Sequence, residues 1–353
     1  YRSYNIARAD VLSAYGIEHP FRVTILPTPL WEGASKWYYV PVLVGFAFPA
    51  YLAALARGRG AWDETYVLSR DVNLLVPVLL AKRALFRGGG PKVIHWAHEI
   101  KPDDPQYRWV YDRVDGLIGT SSALVDDLHE RLGTPREKLA VTLNPISTRQ
   151  LRERRAGAAT KRDVRRRLGL PSDRPLVVYT GKLGPDVDEI PYILKAAARL
   201  PGCTFVLTGG KPSAVEHFEA YCRAHGIENV IFSGFLDRYT DVLDYQVAAD
   251  VLVSYYTTRD HLVDYNYPQK ITEYMLAGNP IVTPEYRATQ DVLDDTNAFF
   301  VAPEDPAALV EGIERVLADP ERARAVGEKA WEDVQALTFK ERTRRLMDFF
   351  RTL

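Results

Sequence analysis

Cysteine is nearly absent from this chain: Cys203 and Cys222 are the only two in 353 residues. Two thiols, with no Cys/His cluster at ligand spacing, exclude a disulfide scaffold and a structural zinc site. They fit a reducing compartment. An excess of charge is also missing, since 45 basic and 46 acidic residues leave a formal net charge of −1. Nothing therefore points to nucleic acid or to another general polyanion. Neither a G-x-x-x-x-G-K-[ST] loop nor a G-x-G-x-x-G turn is present, which removes the two commonest glycine-rich phosphate signatures. The chain has no internal repeat and no low-complexity segment. The opening shows no cleavable leader. "YRSYNIARADVLSAYG" reads as a helix and "FRVTILP" as the strand after it, so a first strand is expected to precede Tyr1.

One run lacks charge altogether, from Trp37 to Ala56. Its length would span a bilayer, but Pro41, Gly45 and Pro49 weaken that reading. A buried helix, or an aromatic-rich helix lying on a membrane surface, are the other two.

What is present is alternation. "TYVLSR", "KVIHWAH" and "GLIGTS" read as strands in the first half. "LVVYTG", "CTFVLTG", "NVIFSG", "VLVSYY" and "NPIVTP" read as strands in the second. Helical patterns separate most of them, which predicts α/β architecture with parallel sheets. A break at Asn144-Pro145, followed by an Arg-rich stretch without strand signal, predicts two doubly wound domains. Expected boundaries are 1–148, 149–335 and a final helix at 336–353. The arginine run reads as a solvated helix face.

In doubly wound sheets ligands bind at the carboxyl ends of strands. Gly181-Lys182 follow "LVVYT"; glycine allows close backbone approach and the lysine could neutralise a phosphate. Gly209-Gly210 follow "FVLT" and Gly234 follows "VIFS". His95 and His98 end "IHWAH". Alternation sends them to opposite faces, which selects His98 as the one facing a ligand and argues against a metal pair. In "PQKITEYMLAGNPIV", Pro268 suits a helix start, and Lys270 and Glu273 share one helix face. A helix N-terminus behind a strand end is an anion site; Glu273 could accept two hydrogen bonds from a ribose diol. The bland alternative is an exposed ion pair.

"VVYTGKL", "FVLTGG", "VIFSGFL", "AADVLVSYY" and "PQKITEYMLAGNPIV" follow one another at spacings that resemble the donor half of retaining glycosyltransferases of family 4, with the GT-B fold. The likeness is strong over about Leu176–Thr283 and looser before it. It implies two Rossmann-like domains facing a cleft, with the last helix crossing back onto the first. It implies a nucleoside diphosphate sugar as donor substrate, no cofactor and no metal, since the acidic pairs sit in helices or loops without strand context. Glu273 matches the second Glu of the E-x7-E signature, which binds the ribose. Lys182 matches the basic residue on the diphosphate, with Gly181 in the same loop. His98 resembles the acceptor-domain His near the transferred sugar. The first signature Glu would fall at Tyr265, with Asp264 beside it. The second basic residue after Lys182 is absent, and "GPDVDEI" is acidic instead.

The function expected is transfer of a hexose-type sugar, with retention, to an acceptor hydroxyl in polysaccharide or glycolipid biosynthesis. The catalytic residues expected are His98 and Lys182. Gly181, Lys182, Gly209, Gly210, Asp264, Tyr265, Lys270 and Glu273 are expected on the donor. The acceptor itself is not specified. The expected site of action is the cytoplasm, with peripheral contact to the inner face of the membrane through Trp37–Ala56. The rival readings are a sugar phosphorylase, a nucleotide-sugar epimerase, or a degenerate subunit supporting an active partner.

Overall fold

The structure is a computed structural model that describes residues 65–86, 89–147, 149, 151, 160–258 and 262–353. The run Trp37–Ala56 and the expected first helix and strand lie outside these residues. Among the described residues, no helix is long and apolar enough to cross a membrane. The chain divides into two compact units. Of the described residues, one holds those in 65–118, 129–139 and 353, and the other holds those in 119–128 and 140–352.

The first sheet has the order β1-β2-β3-β4. Its strands are β1 (Tyr66–Ser69), β2 (Lys92–Ala97), β3 (Gly116–Gly119) and β4 (Leu139–Val141). β1 and β2 are parallel, with Ser69 opposite His95. The helices α1 (Val72–Phe86), α2 (Pro105–Tyr111) and α3 (Ser122–Leu132) separate the strands. α2 starts where its sequence says it should. The Asp104 carboxylate accepts from Gln106 N and Tyr107 N, and Pro105 opens the first turn, where a missing N–H costs nothing.

The second sheet carries the better-defined core. Reading along it gives β7-β6-β5-β8-β9-β10. Its strands are β5 (Leu176–Thr180), β6 (Thr204–Thr208), β7 (Val230–Gly234), β8 (Val251–Val253), β9 (Ile281–Pro284) and β10 (Phe299–Val301). All the pairings in it are parallel. Every residue of β5, β6, β8 and β9 is buried. That explains their continuous apolar runs, because helices cover both faces. The helices are α4 (Lys161–Leu168), α5 (Ile190–Arg199), α6 (Pro212–Ala224), α7 (Tyr239–Ala248), α8 (Gln269–Ala277), α9 (Pro306–Ala318), α10 (Pro320–Val334) and α11 (Phe339–Thr352). One apolar cluster joins α5, α6 and α9 to the sheet. A second joins α4, α7, α8 and α10 to the other face. The strand order reverses between β5 and β8, so the switch point of this sheet lies at their carboxyl ends.

Candidate functional site

A cavity of about 730 Å³ opens at the carboxyl ends of β5, β6 and β7, against the start of α8, within the range of roughly 300–1,000 Å³ common for small-ligand sites. Three strand-end turns and one helix start enclose it. Gly181 and Lys182 come from the end of β5, Gly209 and Gly210 from the end of β6, Phe235 from the end of β7, and Lys270 and Glu273 from α8. Six of the residues singled out in the sequence thus share one wall.

Hydrogen bonds lace the turns together. Gly181 N donates to Thr208 O at 3.1 Å, and Gly209 N donates to Gly234 O at 2.8 Å. Gly209 has φ +119°, and a β-carbon there would stand 1.9 Å from the Gly181 carbonyl oxygen. Only glycine can occupy that position. The result is a floor of bare backbone.

Helix α8 is bolted to the same floor. Tyr274 Oη donates to Val253 O at 3.2 Å and accepts from Thr180 N at 2.9 Å. One buried phenol therefore ties the ends of β5 and β8 to the helix. Gln246, fully buried on α7, donates to Thr180 Oγ1 at 3.0 Å and to Glu273 Oε2 at 3.3 Å. This fixes the Glu273 carboxylate at the cavity wall. Gly278, at φ +72°, ends the helix.

Lys270 is the unusual group. It is only 9% exposed, at the second position of a helix whose first turn has no side-chain cap. Its ammonium lies 4.0 Å from the Tyr179 ring centroid and 5.0 Å from that of Tyr256. Such cation–π contacts are worth up to about 2 kcal/mol when desolvated. Among the described residues it forms no hydrogen bond or ion pair. Burial pushes its pKa down to about 8, against the attraction of the Glu189 and Glu273 carboxylates. A β-carbon on Gly181 would stand 2.7 Å from its Nζ. The exposed Lys270–Glu273 ion pair considered from sequence is not what forms: the lysine is turned inward, under the strand ends.

Lys182 behaves oppositely. Its side chain is 72% exposed and its ammonium sits 2.5 Å from Asp186 Oδ2. Asp264 and Tyr265 stand outside the cavity lining. Tyr265 Oη donates to Asp127 Oδ2 at 2.6 Å, and Asp127 also pairs with Arg287 at 2.9 Å.

His98 lies in the smaller unit, at a cavity of about 680 Å³ beyond β1 and β2. His95 lines the same cavity. The alternation argument separated them, but β2 ends at Ala97 and the strand period stops there. His95 is 2% exposed and its Nδ1 lies 3.1 Å from the Ser69 carbonyl oxygen. Burial lowers its pKa to about 4, partly offset by that hydrogen bond, so it is neutral near pH 7. The His98 ring stacks on Trp96, with centroids 6.0 Å apart. Among the described residues no group of three His, Cys, Asp or Glu stands together as a metal site would need.

The sequence reading missed Tyr179, Glu189, Gln246 and Tyr274. Tyr179 Oη lies 3.1 Å from both Glu189 Oε1 and Lys182 O, two acceptors that share its single proton. No local signal marks these residues, although "EYM" placed Tyr274 one step from the singled-out Glu273.

Residues 174–319 match the family model described as "Glycosyl transferases group 1", which covers β5 through α9. A D-inositol 3-phosphate glycosyltransferase of Xylanimonas cellulosilytica is 28% identical over 241 residues, covering 63% of this chain and 55% of that protein. The chain spans about half the length of the curated relatives it matches. Sucrose-phosphate synthase from Thermosynechococcus elongatus has a TM-score of 0.69 at 19% identity, covering 92% of this chain and 82% of that one. Anabaena Alr3699/HepE, solved in complex with UDP, has a TM-score of 0.66 at 17% identity, covering 82% and 79%. At such identities the likeness concerns fold. The fold is GT-B, and residues 174–319 carry the group 1 glycosyltransferase pattern.

Proposed function

We propose that the protein is a retaining glycosyltransferase. It moves a sugar from a nucleoside diphosphate donor to an acceptor hydroxyl, one belonging to a lipid-linked or cell-surface glycan precursor. The observation that carries this reading is Lys270. A buried cation that forms no hydrogen bond or ion pair among the described residues, at a helix start behind a strand end, calls for an anionic ligand. The glycine floor at Gly181, Gly209 and Gly210 carries no side chain that would keep that anion from the backbone. Glu273, held by Gln246, accepts from the ribose diol. Lys182 adds a second, solvent-side charge. The UDP complex of Alr3699/HepE is consistent with a nucleoside diphosphate here.

In this reading catalysis is electrostatic. Fixed donors and the α8 N-terminus face the diphosphate as negative charge develops on it. Retention follows from front-face attack, as in the family the chain resembles, and needs no nucleophile from the protein and no metal. His98 serves the acceptor side. Asp264 and Tyr265 border the donor sugar's approach without lining the cavity.

The test is thermal shift against UDP, GDP, ADP, dTDP and CDP, each with and without Mg²⁺. A ligand at about 100 times its dissociation constant adds about 2.7 kcal/mol, and for a unit of this size that raises Tm by several degrees, at roughly 2–4 °C per kcal/mol. One nucleotide standing out supports the transferase and names the donor base. A shift from phosphate alone, with none from the nucleotides, favours a phosphorylase. No shift from any of them sinks the donor site.

A further inference from the structure

A second cavity, of about 390 Å³, lies on the other side of the Lys270 side chain. Lys182, Asp186 and Lys270 line both cavities, so the two share a wall. The second is lined by Asp186, Asp188 and Glu189 from the loop after β5, and by Tyr256 after β8. Its chemistry differs from that of the first. The glycine cavity presents backbone beside Glu273 and the shared Asp186, whereas this one presents three carboxylates against the two shared lysines.

The loop holding these carboxylates is "GPDVDEI", where the resemblance leads one to expect a second basic residue. The structure accounts for the exchange. Lys270 comes up from α8 beneath Gly181 and supplies the second cation, and the loop is left acidic. The Tyr265 position, where the first signature Glu would stand, supplies no carboxylate, and the tyrosine hydroxyl is bound to Asp127. Among the described residues that line this cavity, the carboxylates are those of the 186–189 loop. Glu189 is the best positioned of them. It is half-buried at the foot of α5, held by the Tyr179 hydroxyl at 3.1 Å, and Tyr179 carries the Lys270 ammonium over its ring.

Once a diphosphate occupies both lysines, the charged groups left among the described lining residues are the three carboxylates, beside the neutral Tyr179, Tyr256 and Thr257. We propose, on the donor reading above, that this second cavity seats the sugar of the donor. We further propose that Glu189 selects neutral or amine-bearing sugars against sugars that carry a carboxylate. Hydroxyls and an ammonium donate to Glu189; a uronate meets like charge in a partly desolvated site, the arrangement that suppresses wrong partners at interfaces.

The experiment is calorimetric titration of the full chain, native and Glu189→Gln. The probes are UDP, UDP-glucose, UDP-glucosamine and UDP-glucuronate, or the same conjugates of whichever base the nucleotide panel selects. Glutamine keeps the size and the acceptor for Tyr179, and binding of the bare nucleotide shows that the variant is folded. In the native protein the glucuronate conjugate should bind at least about tenfold more weakly than the glucose conjugate, the step expected from like-charge juxtaposition. The glucosamine conjugate should bind at least as tightly as glucose. Glu189→Gln should shrink the glucuronate penalty roughly threefold or more. Native protein that binds glucuronate and glucose conjugates alike, or a variant with the native ranking, overturns the assignment while leaving the donor site standing. A chain that binds none of the five nucleotides overturns the donor reading itself, and this inference with it.

Discussion

The two units each carry a cavity at the carboxyl ends of parallel strands, yet they are made of opposite materials. In the larger unit the wall is glycine backbone, one buried lysine and one buttressed carboxylate. In the smaller unit it is side chains: His95, His98, Trp96 and Tyr107, with Glu99 bridged to Lys101 at 2.8 Å. Backbone amides and a desolvated cation hold an anion wherever its oxygens sit. Imidazole and phenol groups direct individual hydroxyls. On the proposed function, the same strand-end position would serve anchoring in one unit and orientation in the other, and the difference lies in how far the side chains withdraw.

The comparison breaks first at Lys270. Lys270→Met should weaken nucleoside diphosphate binding by roughly 30-fold to several thousandfold, since losing one partner of a buried charge contact costs about 2–5 kcal/mol. The same change should raise the Tm of the ligand-free protein, because burial penalises the ammonium by more than the Glu189 and Glu273 carboxylates repay. Calorimetry and a melt of one sample read both. A variant that binds normally would remove the anchor from the model of the site.

Glu273→Ala should come next, with binding weaker by about 10- to 100-fold, from hydrogen bonds to a charged group worth about 1.5–3 kcal/mol. Gln246 loses one of its two acceptors, so Tm should fall only slightly. Equal affinity and equal stability would make Glu273 an ordinary surface residue of α8.

The pH dependence sharpens the contrast, because Lys270 carries two opposite slopes. Its folded pKa of about 8 lies below its ordinary value of 10.5. Between these values the unfolded chain binds more protons, so the stability of the ligand-free protein should rise with pH through that window. Nucleotide affinity should fall over the same window, by up to about tenfold per pH unit, as the cation is lost. Lys270→Arg should flatten the affinity profile, since arginine stays charged. Burial holds the Tyr179 and Tyr274 phenols well above their usual range, so they do not titrate there. In the smaller unit, His98→Ala should leave every nucleotide shift unchanged while transfer to an acceptor falls about a hundredfold or more, the low end for acid–base groups. A lost nucleotide shift in that variant would erase the division of labour.

How much of this was legible before any coordinates follows from the range of each signal. Strands such as "LVVYT" and "TFVLT" announce themselves because both of their faces are buried, so the whole run is apolar. Glycine turns and the Pro268 and Gly278 limits of α8 are equally local. Strands β4 and β10 were not read, because three residues carry no period; β8 is as short and was read only because "VLVSYY" extends its apolar run. The Lys270–Tyr179–Glu189 contact was not read either, since it joins α8 to the β5 turn across the switch point. Tyr274 meets Thr180 over 94 residues of chain. Spacing placed Lys270 and Glu273 on one helix face, but their burial is decided by what packs above that face. The sequence could therefore name the charged pair without telling an exposed ion pair from a ligand wall.

Lys182 supplies the smallest effect and the finest test. The family likeness gives it the diphosphate, yet its ammonium is exposed and already paired with Asp186. An exposed pair of this kind is worth about 0.2–1 kcal/mol. Binding a diphosphate also requires the lysine to leave Asp186. Lys182→Ala should then weaken nucleotide binding by no more than roughly fivefold, and raising the salt concentration should shrink even that loss, because solvent-side charges are screened. The Lys270→Met loss should hold at the same salt, since a buried contact is screened far less. Equal losses with equal salt dependence at both positions would mean that Lys182 swings inward when the ligand arrives. The anchor would then be two buried cations rather than one.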